Sequence, residues 1–327
     1  MGVVLERRRK EAAERILGLQ RELAKAEALC TDRACVYITG SFARGEASRY
    51  SDLDLFIVGR GSRDNPALSS LDEILVKADL IEATKRLGLP EFSGDGQYLT
   101  HHTVSELVGS LGKPDDDVSN TFTARLLLLL ESSPLVGRPV YERLTRDVVA
   151  AYWKDYEGHK NDFMPAFLAN DILRMWRTFC VNYEARTQST PPAKMAKRKL
   201  KNYKLKHSRL LTCYSALLYM LAVFAKAGTV NPSDVEEMIA LSPTQRLEWL
   251  LSLPELAAAH GKIQELILRY EEFLGNTDAP ERELLERFAD REKAREYLAS
   301  ARAFGDLVAK TMETIGADNR FYRLLVV

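Results

Sequence analysis

The chain has 327 residues, 46% hydrophobic and 28% charged, which is ordinary globular usage and excludes collagen-like, coiled-coil and disordered readings. That length predicts two domains. Lys and Arg (46) balance Asp and Glu (46), which excludes a surface basic throughout but leaves room for a local cationic site.

Cys30, Cys35, Cys180 and Cys213 form no C-x-x-C, so neither a zinc site nor a disulfide framework is expected, and the thiols suit a reducing cytoplasm. No apolar segment follows the basic start MGVVLERRRK. The apolar run 210–225 is broken by Thr212 and Ser215 and falls short of the ~20 residues of a membrane span. A cytoplasmic protein with no membrane partner is the expectation.

Along the chain, apolar residues at helical spacing predict an amphipathic helix over 10–30. Strands are predicted over 34–39 (ACVYIT) and 52–58 (DLDLFIV). Ser70 and Glu73 read as a capping box opening a helix that stops at Gly88. A third strand or hairpin is expected in 89–99, interrupted by Gly94-Asp95-Gly96. Beyond Val104 the helical period dominates: 117–133, 138–157, 164–186, 195–227, 233–252, 255–274 and 281–314. The class is therefore α+β, with a catalytic domain over 1–115 and an all-helical domain over 116–327.

Chemistry concentrates in Gly40–Val58, GSFARGEASRYSDLDLFIV. Side chains alternate along a strand, so Asp52 and Asp54 share a face with Cα atoms roughly 6–7 Å apart. Carboxylates held so close repel unless a cation separates them, and a hard divalent ion suits oxygen ligands. Gly40 lets the backbone turn sharply at the strand end, where the free amides of Ser41 and its neighbours could receive an anion. A phosphate cradle beside a carboxylate-held metal is what nucleotidyl transfer requires.

The Gly-Ser, the spacer and the Asp-x-Asp resemble the polymerase-beta-like nucleotidyltransferase superfamily. Arg44-Gly45-Glu46 and Tyr50–Leu55 look most like the transferase domain of bacterial PII uridylyltransferases and related stand-alone proteins. The resemblance implies a mixed-sheet catalytic domain with helices behind it. It also implies Mg2+ (or Mn2+) on Asp52 and Asp54, and the triphosphate of an NTP on Gly40 and Ser41. A third acid is often used in that superfamily; Asp95 is the first choice, with Glu91 and Glu106 behind it, although Gly94-Asp95-Gly96 also reads as a plain turn. Arg44 is a phosphate-binding candidate or half of an ion pair with Glu46. The chain has no His-Asp dipeptide, so the hydrolase and glutamine-sensing functions of full uridylyltransferases are not expected, nor is PII as substrate.

Lys194, Lys197, Arg198, Lys199, Lys201, Lys204, Lys206 and Arg209 follow one another without an intervening acid. Lys204, Lys206 and Arg209, nearest the apolar run, are expected at the triphosphate, the alternatives being a solvated helix face or a footprint for RNA phosphates. Asn170, Arg174 and Arg177 form a polar stripe at helical spacing. At most one of His101 and His102 can face a site, because neighbours on a strand point opposite ways. Asp115–Asp117 read as acids on a helix N-terminus. The expected activity is transfer of NMP from an NTP to a hydroxyl on a protein or small molecule, with pyrophosphate released. RNA or cyclic-oligonucleotide synthesis, or a non-catalytic nucleotide-binding or toxin–antitoxin module, are the alternatives.

Overall fold

A computed structural model describes residues 2–90, 92, 99–187, 191 and 194–326. The chain divides into two compact units, Val3–Lys154 and Asp155–Val327.

Unit 1 opens with helices α1 (Val3–Glu22) and α2 (Ala24–Cys30), followed by strand β1 (Ala34–Thr39), the single turn α3 (Gly40–Ala43) and strand β2 (Asp54–Gly59). A two-residue hairpin, β3 (Gly61–Ser62) and β4 (Asn65–Pro66), leads to α4 (Ser70–Arg86). Then come β5 (His101–Thr103), α5 (Val104–Gly109), α6 (Asp115–Val118), α7 (Thr121–Leu130), β6 (Ser133–Val136) and α8 (Arg138–Tyr152). The sheet order is β5-β2-β1-β6. β1 runs antiparallel to β2 and β6, whereas β5 runs parallel to β2, so the sheet is mixed.

β1 is buried along its whole length. One face sends Val36, Ile38, Leu55 and Ile57 into a core with Ala12 and Leu19 of α1 and Leu80 of α4. On the other face Tyr37 stacks on Phe56 at 5.4 Å, and its hydroxyl donates to the Ala124 carbonyl of α7 at 2.9 Å. The aromatic rings cover one side of the sheet while β-branched residues fill the other, as expected for strands packed on both faces.

The predicted helix over 10–30 is two helices. The cap of α4 is Ser69, whose hydroxyl accepts the Asp72 amide, one residue earlier than the predicted box. Residues 133–136, read as the end of a helix and a break, form the edge strand β6, and the compact unit therefore extends past residue 115 to Lys154. Asp116 is no surface cap: it is fully buried and bound by Arg125, itself fully buried.

Unit 2 is helical: α9 (Ala166–Thr187), α10 (Met195–Lys204), a π-helical turn over Leu205–Arg209, α11 (Leu210–Ala227), α12 (Pro232–Ala240), α13 (Pro243–Leu251), α14 (Ala257–Asn276), α15 (Glu281–Ala289), α16 (Arg291–Gly316) and α17 (Arg320–Val326). The segments 233–252 and 281–314, each read as one helix, are divided at Leu241–Ser242 and Asp290, where Ser242 and Asp290 cap the following helices. Met195–Ala227 is long and apolar enough to cross a membrane, but most of its apolar stretch is buried, with α11 packed against α9, α13 and α16. It is the core helix of unit 2.

Candidate active site

Gly40 follows β1 directly and takes φ +70°, in the left-handed region that glycine enters without a Cβ penalty. Asp54 opens β2 and pairs in register with Thr39, the residue before that glycine. A Cβ on Gly40 would lie 2.9 Å from Asp54 Oδ2, so the carboxylate rests against the glycine backbone. Position 40 therefore needs glycine for its dihedral and for its space. Leu53 and Leu55 are buried in the core, while Asp52 is exposed and Asp54 half-buried. That alternation places the two acids opposite the leucines, although β2 itself begins only at Asp54.

The loop between glycine and acids is tightly held. Arg44 donates from Nε to Glu46 and from a terminal nitrogen to Glu131, each at 2.7 Å. All of these side chains are at most 7% exposed. Arg44 is thus neither a surface ion pair nor placed for phosphate: its fork is directed at carboxylates that tie the loop to the end of α7. The Glu46 amide donates to the Ser41 carbonyl at 2.8 Å, closing the turn around half-buried Ser41. From α1, Arg8 donates to the Glu46 carbonyl at 3.3 Å and Arg15 to the Ser48 carbonyl at 2.5 Å. The Ser48 amide donates to Ser51 Oγ at 3.0 Å, fixing the approach to Asp52. Arg8, which precedes the helix predicted over 10–30, is only 2% exposed. Arg8 and Arg15, seven positions and so about two helical turns apart, share one face of α1.

The histidines divide as strand geometry requires. His101 Nδ1 lies 3.1 Å from Glu73 of α4. His102 packs 6.1 Å from Phe56 on the opposite face, and burial lowers its pKa. Glu106 belongs to the capping box of α5, where its carboxylate accepts the Thr103 amide at 2.8 Å. Asp95 and Glu91 lie outside the described residues. Among the described residues no group of three or more His, Cys, Asp or Glu is arranged to hold a metal. The donors that the described residues bring to this site are the pair Asp52 and Asp54.

In unit 2 the expected cations lie on two faces. Lys197, Lys201 and Lys204 stand over the first residue of α15: Lys197 pairs with Glu281 at 2.7 Å, and all three hold the Glu281 carboxyl below its ordinary range against the opposing effect of burial. Lys206 and Arg209 turn toward α9: burial raises the Cys180 thiol, an effect that nearby Lys206 only partly offsets, and Arg209 lies 5.2 Å over the Phe179 ring. Of the polar stripe on α9, Arg174 pairs with buried Asp171 at 3.5 Å, while Asn170 and Arg177 are exposed.

No curated protein matches the chain. Residues 21–100 match the family described as nucleotidyltransferase domain, spanning β1, the Gly40 turn and both acids. With the mixed sheet, the left-handed glycine and the Asp-x-Asp in place, residues 21–100 form a nucleotidyltransferase domain of the polymerase-beta-like superfamily.

Proposed function

We infer that this protein transfers a nucleoside monophosphate from an NTP to an acceptor hydroxyl, with pyrophosphate as the leaving group. The observation that carries this reading is the seating of the Asp54 carboxylate on Gly40 beside Asp52, inside the matched domain. Two carboxylates on one side of a strand end offer only oxygen donors, one exposed and one half-buried, which fits a hard divalent cation. Asp52 and Asp54 would hold Mg2+, with Asp95 proposed as the third carboxylate; the ion would supply positive charge at the triphosphate. Gly40 leaves the backbone bare where phosphate oxygens approach, and the Ser41 amide and hydroxyl are the proposed donors to them. Arg44 serves these groups at one remove, by fixing the loop that presents them. The proposed location is the cytoplasm.

The test is release of pyrophosphate and incorporation of α-labelled nucleotide, with each of the four NTPs and with protein, small-molecule and RNA acceptors. Asp52→Asn and Asp54→Asn each should lower transfer at least 10³-fold with the thermal unfolding midpoint unchanged within a few degrees. Undiminished transfer by both variants would refute the reading.

A second reading concerns the acceptor. Arg209 lies over the Phe179 ring and Arg177 beside Tyr214, with Lys206 near Cys180 of α9, a combination of cations and π faces that favours RNA over an uncharged small molecule. Retention of labelled RNA that weakens steeply with added salt would support it.

A further inference from the structure

A half-open groove of about 610 Å³ lies in unit 1 at the far end of β2. Asp54 starts that strand and Gly59 ends it, so five residue steps, about 17 Å, separate the two ends. Val104 and Val108 of α5 and Leu144 of α8 make an apolar floor. Arg60, Arg143 and Lys154 contribute three cations to the rim, against the single carboxylate of Asp147. Arg143, Asp147, Ala150 and Lys154 recur at three- and four-residue spacing along α8 and just beyond its end, a single stripe along the groove.

The groove is built on fixed backbone. The Arg60 amide donates to the Arg33 carbonyl at 2.7 Å, and its carbonyl accepts the Ala67 amide at 2.9 Å. Next to it Gly61 takes φ +90°, where a Cβ would come 2.4 Å from the Asn65 carbonyl oxygen. The capping box of Thr103 and Glu106 sets the first turn of α5, which carries Val104. The Arg60 guanidinium donates to the Asp32 carbonyl at 3.3 Å and stands 3.7 Å from the same residue's exposed carboxylate, weak surface contacts made through one terminal nitrogen. Among the described residues the side chains of Arg143 and Lys154, both exposed, make no ion pair or hydrogen bond.

We propose that this groove is a second ligand site, separate from the Asp52–Asp54 end of the sheet, for a small organic anion: an apolar, ring-sized body carrying one phosphate or carboxylate. Its volume falls within the range of small-molecule pockets. The floor takes the body from water, and the excess of cations selects the charged head. An uncharged ligand of the same shape would forgo the head-group contacts. Inorganic phosphate would forgo the floor.

The test uses the full chain without NTP and titrates 1-naphthyl phosphate, 1-naphthoate, 1-naphthol and inorganic phosphate by calorimetry. At least one naphthyl anion should bind saturably and at least tenfold more tightly than both naphthol and phosphate; which one does so separates phosphate from carboxylate sources. The double variant R143A/K154A changes two exposed side chains and should weaken that binding at least tenfold. Ala150→Trp, which places an indole in the groove from an exposed position, should abolish it, and Asp54→Asn should leave it unchanged. Equal affinity for naphthol, absence of binding, indifference to R143A/K154A, or loss in Asp54→Asn would each overturn the assignment. If Ala150→Trp fails to fold, the double variant decides.

Discussion

Asp54 occupies with Oδ2 the space that a methyl group on Gly40 would need, 2.9 Å from its ideal position. The glycine after β1 and the acid that opens β2 are thus one packing unit. Gly40→Ala meets two penalties: a left-handed dihedral that costs an L-residue roughly 1–2 kcal/mol, and displacement of the carboxylate. Because α3 is a single turn at a strand end, the fold should survive. The expected result is a fall in kcat of about 100-fold with a thermal midpoint lowered by only a few degrees. Measured kcat within threefold of wild type would show that the carboxylate tolerates the shift.

The Glu46–Arg44–Glu131 triad makes the opposite prediction, in which stability rather than chemistry responds first. Arg44→Met leaves two carboxylates buried without their shared cation, which should cost about 3–5 kcal/mol in urea unfolding. Arg44→Lys should recover only part of this, because one ammonium cannot reproduce a two-pronged fork. Glu131→Gln in the Arg44→Met background should be less damaging than the two single losses added together, since the two residues share one contact.

His207 gives a pH signature in unit 2. Its ring stacks on Phe273 at 4.6 Å and on Phe304 at 4.9 Å, and burial pushes its pKa down to about 4 despite the Tyr203 carbonyl 2.9 Å from Nδ1. The folded form thus disfavours a proton that the unfolded chain accepts near pH 6.5. Between these values the unfolded state binds more protons, so this contribution is complete above about pH 6.5 and lost as pH falls toward about 4. Unfolding free energies at pH 7 and pH 4.5 should differ by roughly 2–3 kcal/mol more in wild type than in His207→Gln. A pH dependence identical in the two proteins would exclude the histidine as its source.

What could be read from the sequence were features made by neighbours in the chain. β1 matches its predicted span, Ala34–Thr39, because a β-branched and aromatic run ends at a glycine. The Gly-Ser and Asp-x-Asp pattern was legible for the same reason. What was hidden depended on partners far away: Arg44 looked like half of a local pair with Glu46, but its second carboxylate, Glu131, lies 87 residues on. β6 is a four-residue edge strand containing Pro134, with too little pattern to outweigh the leucine-rich helix before it. Asp116 resembled a helix-end acid until its burial against Arg125 made it part of the interior.

The π turn between α10 and α11 carries a consequence for the phase of the long helix. In an α-helix each residue advances about 100°. The wider Leu205–Arg209 turn advances less per residue, so the angular register established before it does not continue after it. A helical wheel drawn without interruption from Met195 to Ala227 superimposes two differently oriented surfaces and merges Lys204 with cations that face another neighbour. Removing one residue from the turn would bring the ladder back to regular α-helix with the buried side chains of α11 near their present azimuth, whereas straightening it with all five residues kept would rotate them by roughly a quarter turn, away from their present partners. Five residues set the azimuth of the hydrophobic centre of unit 2.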